Sequence, residues 1–373
     1  MRLAIDASRY QLPNPTGVEV YSNHIIDEII RFSAKEDRTG GSPVPTGADV
    51  SLISPIYKKV PAHIPQIIIP GHRLWTMIRV TLFFIMHRRQ VDALFVPSHT
   101  LPLILPKRSI ITIHDISFRH VPEAYSLFQR LYLEFSTWWA VKFASDIIVP
   151  SFYTQKDLIH FYKCAQKKIH VIPHGFDSTS FLTDVPTKSD TLKKFSLHPQ
   201  KYFTYVGRIE EKKNLRFLNE CFLAAQIDAN VKLVLMGKDG VGASTIHRLA
   251  EEKGKGRVIF TGYTERGEVS YLIQQGLGHC VPSKHEGFGI PVLEGFALEV
   301  PVIACNSAAL PEVGGNAALY FEPGQAGSLV KILEDVVSEI FPRDVWVTKG
   351  KERLKDFSWK KCAEETWKIL VKK

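Results

Sequence analysis

Short β-branched and aliphatic runs alternate with stretches of helical periodicity along the chain. That alternation restricts the fold more than any single residue does. In the first half the runs are RLAID (2–6), VSLISP (50–55), DALFVPS (92–98), SIITIHD (109–115) and DIIVPS (146–151). Between them, residues 17–34 place Val18, Tyr21, Ile25, Ile29 and Phe32 on one helical face. Further helical segments fall around 73–89, 125–144 and 152–163. The pattern restarts with KYFTYVGR (201–208), VKLVLMG (231–237), RVIFTG (257–262), GHCVPS (278–283) and PVIAC (301–305). Unbroken apolar strands separated by helices belong to parallel sheets covered on both faces. The chain therefore reads as α/β, with two doubly wound, Rossmann-like parallel-sheet domains. They span residues 1–176 and 197–356, joined by a polar, turn-rich linker at 177–196 and followed by a basic amphipathic helix at 357–373. A length of 373 residues fits two domains.

Composition narrows the function classes. The net charge of +9 favours acidic partners: nucleotides, nucleic acid or an anionic membrane face. The basic residues are dispersed among acids, with no aromatic-interleaved basic patch, so no nucleic acid partner is expected. The five cysteines (Cys164, Cys221, Cys280, Cys305, Cys362) form no C-x-x-C pair. They indicate neither a disulfide framework nor a zinc site, and lone thiols fit a reducing, cytoplasmic setting. The first apolar run is too short for a signal segment and is interrupted by Asp6. No apolar run is long enough for a transmembrane helix. A nicotinamide-dependent dehydrogenase would need G-x-G-x-x-G after the first strand. DASRYQLPNPTG stands there instead, and GKDGVG (237–242) has the wrong spacing. His170 and His174 lie four apart in a strand-turn context, so they are not expected to bind metal.

Ligands of open parallel sheets bind beyond the carboxyl ends of the strands. In the second half, Arg208 directly follows a strand and Lys213 lies in the next loop, where the two could clamp a diphosphate. The alternative is a solvated charged loop, since EEKK (210–213) is locally self-neutralising. The stretch SKHEGFGIPVLEGFA (283–297) follows another strand. Gly287 and Gly289 allow close backbone approach to a ligand. Pro291 suits the first helical position, and the helix start is an anion site. Glu294 is expected on the first turn and Glu286 just before the loop. A carboxylate repels phosphate, so both acids suit hydroxyl groups, one of a ribose and one of a sugar; the alternative is that Glu294 serves the helix dipole and Glu286 is exposed. In the first half, His114 ends a strand beside Asp115, suiting an acid, a base, a hydrogen-bond donor or a structural role. Gly17 precedes a helix, as a second anion-facing N-terminus or as a simple loop glycine.

The segments VGRIEEKKNL, VIPHGFD and PSKHEGFGIPVLEGFALEVPVIACNSAALPEV resemble the retaining glycosyltransferases of family 4, which have the GT-B fold. Glu286 and Glu294 stand at that family's E-x7-E spacing, and RLAIDASR…PTGVEVY, TIHDISF and FSWKKCAEETWKIL extend the likeness over nearly the whole chain. The resemblance implies two Rossmann-like domains facing across a cleft, with the final helix crossing back to the first and HGFD (174–177) at the hinge. It implies that Arg208 and Lys213 hold the donor diphosphate, Glu286 the sugar hydroxyls and Glu294 the ribose. Gly287, Phe288, Gly289 and Ile290 would offer main-chain contacts, His114 would approach the sugar, and Gly17 would let its loop close. Glu19 departs from the pattern, since many relatives carry glycine there; it either narrows that loop or faces the acceptor.

TIHD and VPSFYTQKDL are similar to bacterial mannosyltransferases, which makes GDP-mannose the first expected donor. UDP-sugars are the alternative, as is a GT-B nucleotide-sugar epimerase or hydrolase that uses no sugar acceptor. The acceptor class implied is a glycan or lipid-linked saccharide. Fixed cations and a helix N-terminus can stabilise the leaving diphosphate. No DxD-like acidic pair flanked by strand signals occurs, so no metal cofactor is expected and front-face substitution with retention is the expected mechanism. Residues 71–90 mix Trp, Phe, Leu and Met with Arg73, Arg79, Arg88 and Arg89. They read either as a basic amphipathic helix on the anionic cytoplasmic face of the inner membrane or as a core helix ending in exposed arginines.

Overall fold

A computed structural model describes residues 1–13, 17–34, 48–71, 74–178 and 188–372. Arg73, the residues directly before Gly17, most of the Gly/Pro-rich stretch 39–50 and linker residues 179–187 lie outside the described residues. The chain divides into two compact units. Unit 1 comprises Met1–Phe118, Tyr125–Gly175 and Phe357–Lys373; unit 2 comprises Arg119–Ala124 and Phe176–Asp356.

Unit 1 is built on a seven-stranded parallel sheet. Its strands are β1 (Arg2–Asp6), β2 (Asp49–Ser54), β3 (Gln66–Ile68), β4 (Ala93–Val96), β5 (Arg108–Thr112), β6 (Asp146–Val149) and β7 (Ile169–Val171). They run in the order β3-β2-β1-β4-β5-β6-β7. The order reverses at β1, which pairs with β2 on one side and β4 on the other. Strands such as β4, buried along its whole length, are apolar on both faces because helices cover both. One core joins this sheet to Tyr21, Ile25 and Ile29 of the helix Gly17–Ala34 and to Cys362, Trp367 and Leu370 of the final helix, Trp359–Val371. The opposite core takes in Trp75, Val80, Phe84, Ala140 and Leu158.

The final helix is fixed at both ends. Ser358 caps its start by accepting from the Lys361 amide. Gly175 lies so close that a Cβ there would come within 2.1 Å of the Trp359 nitrogen. At the far end, Arg108 donates to the carbonyls of Ile369, Leu370 and Lys372, where the last turn runs out of intrahelical donors.

Unit 2 repeats the plan with six parallel strands: β8 (Tyr202–Val206), β9 (Lys232–Met236), β10 (Val258–Gly262), β11 (Gly278–Val281), β12 (Val302–Cys305) and β13 (Leu319–Phe321). Their order is β10-β9-β8-β11-β12-β13, so here the reversal falls at β8.

Sequence patterning does not anticipate β3, β7 and β13, each of three residues. Nor does it resolve the expected helix at 73–89. That segment is a π-helical turn at Thr76–Val80, an α-helix at Thr81–His87 and a 3-10 turn at Arg88–Gln90.

Candidate active site

The switch point of unit 2 lies between the ends of β8 and β11, and most of the expected donor-binding residues gather there. From β8 the chain runs through Gly207 to Arg208, whose carbonyl accepts from the buried Tyr205 hydroxyl at 3.0 Å. Asn214 hydrogen-bonds through its side chain to the Pro282 carbonyl at 3.1 Å, tying this loop to the one after β11. Lys213 Nζ lies 2.7 Å from Glu286 Oε1, with both side chains largely shielded. The carboxylates of Glu286 and Glu210 add to burial in raising the Tyr205 phenol.

Glu210 is the residue that motif reasoning passed over. Its buried carboxylate lies 3.8 Å from Arg208 Nε and 3.3 Å from Lys212 Nζ. The EEKK run is thus internally paired in part, but Lys213 reaches outside it to Glu286. Arg208 is exposed and reaches the Asp239 carbonyl only at 3.5 Å.

The loop after β11 is held from two sides. Ser307 donates to the Lys284 carbonyl at 2.6 Å, and the Ala309 amide to the Glu286 carbonyl at 3.3 Å. Gly289 caps the helix Ile290–Ala297 with φ at 113°, and a Cβ there would meet Leu310 Cδ2 at 2.7 Å. Both the dihedral and the space demand glycine. The helix thus begins at Ile290, and Pro291 is its second residue rather than its first. Proline costs nothing there because early amides lack intrahelical acceptors. Glu294 consequently sits one turn in. Burial pushes its carboxyl up to about 7, opposed by the positive charge of Arg266, a neighbour that no motif signals. Phe288 is buried. His285, given no role from sequence, is buried and stacks on His120 with centroids 4.1 Å apart.

The remaining candidates stand on unit 1. His114 follows β5 and is buried. Its Nε2 lies 3.1 Å from the Pro97 carbonyl and its Nδ1 3.2 Å from His174 Nε2. A carbonyl only accepts, so Nε2 carries the ring proton and Nδ1 accepts from His174. Burial lowers His114 to about 4 and His174 further below its usual value. Among the roles open to His114 from sequence, acid–base work near neutral pH is therefore disfavoured: the ring is already neutral and has no second proton to give. Gly17 opens its helix, and among the described residues nothing lies within 4 Å of where a Cβ would stand. Glu19 is buried and pairs with Arg9 at 3.0 Å.

Residues 188–353 match the family model of the group 1 glycosyl transferases, and residues 44–180 that of glycosyltransferase family 4. The chain belongs to glycosyltransferase family 4. The glycosyltransferase is 28% identical over 275 residues to O-antigen chain mannosyltransferase B of Escherichia coli, covering 72% of this chain and 71% of that protein. It is 26% identical over 239 residues to the O-antigen chain mannosyltransferase RfbU of Salmonella typhimurium, covering 64% and 63%. Among solved structures, sucrose-phosphate synthase from Thermosynechococcus elongatus superposes with a TM-score of 0.73 at 18% identity, over 99% of this chain and 98% of that one. HepE of Anabaena in complex with UDP-glucose gives 0.72 at 16% identity over 99% of both chains. These likenesses place the enzyme in the GT-B fold class.

Proposed function

We propose that this glycosyltransferase moves a hexose from a nucleotide sugar to a glycan or lipid-linked saccharide, with retention of configuration and without a metal ion. The observation that carries the reading is the Lys213–Glu286 pair beside the glycine-capped helix start, at the switch point of unit 2. Lys213 and Arg208 neutralise the diphosphate as charge builds on the leaving oxygens. The amides of Gly287, Phe288, Gly289 and Ile290 face the same group at a helix N-terminus. Glu286 accepts from sugar hydroxyls and, through its contact with Lys213, couples sugar placement to phosphate placement. Glu294 accepts from ribose hydroxyls. The leaving diphosphate itself takes the acceptor proton in a front-face substitution. His114, neutral at physiological pH and engaged at both ring nitrogens by Pro97 and His174, serves placement rather than proton transfer.

Mannose from GDP-mannose is the first choice of donor because the curated relatives cited above are mannosyltransferases. A UDP-sugar is the second reading, supported by the UDP-glucose complex of HepE. A melting-temperature panel with GDP-, UDP- and ADP-sugars tests the donor, since a ligand that binds only the folded state raises the transition. Product analysis with and without saccharide acceptors, in the presence of a chelator, tests the reaction. Transfer to the acceptor undiminished by chelator supports the reading; release of free sugar alone, whatever the acceptor, overturns it in favour of a hydrolase.

A further inference from the structure

Lys58 stands in the loop after β2, only 6% exposed, between the exposed residues Tyr57 and Lys59. Among the described residues its Nζ has no hydrogen-bond partner. Burial lowers its amine below the usual lysine value, and no carboxylate charge opposes that shift. Lys168 on the same unit shows how a structural lysine is satisfied: its Nζ donates to the Val141 carbonyl at 2.9 Å. A buried ammonium without an acceptor destabilises a fold, so packing alone gives no reason for Lys58.

The main chain around Lys58 is held on both sides. The Gln66 side chain accepts from the Lys58 amide at 2.8 Å and donates to the Lys58 carbonyl at 3.0 Å. The Gln11 side chain grips Lys59 in the same way, with both bonds at 2.8 Å. Gln11 itself adopts φ 51°, a left-handed conformation uncommon outside glycine, and its amide donates to Asn23 Oδ1 at 2.8 Å. The loops after β1 and β2 are thereby tied together beside the strand at which the sheet order reverses. Ligands of open parallel sheets bind beyond the carboxyl ends of strands at that point. A loop ordered beforehand loses little entropy when a ligand arrives. The same loop turns Ile56 and Tyr57 outward, with Tyr57 77% exposed. An exposed tyrosine face suits the apolar C–H face of a sugar ring.

We infer that this loop is a subsite for an anionic saccharide, the Tyr57 ring covering a sugar face and Lys58 Nζ taking a carboxylate or phosphate oxygen of the same saccharide. An oxyanion supplies the charge-assisted acceptor that the amine lacks. The flexible four-carbon stem lets the amine turn toward a ligand held at Tyr57. The inference deepens the acceptor side of the function proposed above and rests on it: the saccharide that receives the hexose carries the negative charge.

Melting temperatures of the whole chain test it, with glucuronate, glucose phosphate, inorganic phosphate and glucose as probes. Glucuronate or glucose phosphate should raise the wild-type transition, and glucose should not. Lys58→Met should melt higher than wild type without ligand, because the buried amine is gone. It should bind the anionic sugar about ten- to a hundred-fold more weakly, the worth of one charge-assisted hydrogen bond. Tyr57→Ala, a surface change, should weaken the anionic sugars and leave the response to inorganic phosphate as in the wild type. Nucleotide-induced stabilisation should be the same in all three proteins; its absence from the wild type would strike the donor reading above and not this subsite. Equal shifts by glucose and glucuronate, no shift by either anionic sugar, or a wild-type response in Lys58→Met overturns the inference. If Lys58→Met does not fold, Tyr57→Ala decides, and an undiminished anionic-sugar response in that variant overturns the inference as well.

Discussion

Glu294 is the residue on which pH acts most directly. Its carboxyl, raised from 4.5 to about 7, keeps a proton in the folded protein that the unfolded chain releases. Its burial therefore costs stability as pH rises through that interval, and the cost is complete above about 7. A hydroxyl-binding role needs the ionised form, so nucleotide binding should release a proton. Affinity for a nucleoside diphosphate should weaken about ten-fold between pH 8 and pH 6. Calorimetry in buffers of different ionisation enthalpy would detect that proton, and Glu294→Gln should abolish both effects. Lys213→Ala and Glu286→Gln should instead lower kcat about a hundred-fold with small changes in donor KM, because their interactions strengthen as the diphosphate leaves. Unchanged kcat in both would remove them from the site. The two acids, Arg208, Lys213 and the loop glycines were legible from their place after strands. Glu210 and Arg266 were not, because their influence depends on which carboxylate meets which cation in space, and a local charge run does not encode that.

The helix Ile290–Ala297 and its glycine cap form the most constrained element. Gly289→Ala places a side chain at φ 113° and against Leu310 at 2.7 Å. The variant should lose about 1–3 kcal/mol of stability, read from chemical denaturation. It should also lose donor binding, because the helix start moves. A variant as stable as wild type would show that the cap is not held as described. The long strands and helices were readable because burial on two faces writes an unbroken apolar run, and one-sided burial writes a helical period. β3, β7 and β13 are too short to carry a period, and their pairing comes from neighbouring strands. The π-helical turn at Thr76–Val80 shows the limit of a pattern built on 3.6 residues per turn: one extra residue shifts the outward face without changing composition.

At the scale of the whole chain, two sheets of the same plan are built in succession, and the C-terminal helix returns to the first unit. Arg108 ties that helix to the sheet, and Asp146, its other partner at 3.2 Å, keeps His170 at 2.8 Å if the arginine is removed. Arg108→Met should therefore cost unit 1 about 2 kcal/mol, the worth of a charge-assisted bond. Five of the six tryptophans belong to unit 1, so tryptophan fluorescence follows its unfolding selectively. An unshifted fluorescence transition would mean that the helix end is held by packing alone.

The most direct test of the account is a calorimetric titration of GDP-mannose, with UDP-glucose as the second donor, into the wild-type enzyme, Lys213→Ala and Glu294→Gln at pH 8. The account predicts one saturable site for one of these donors, weakened in Glu294→Gln and retained in Lys213→Ala. If neither donor binds the wild-type enzyme, or if both variants bind as tightly as wild type, the nucleotide sugar is not held by the glycine-capped helix start of unit 2.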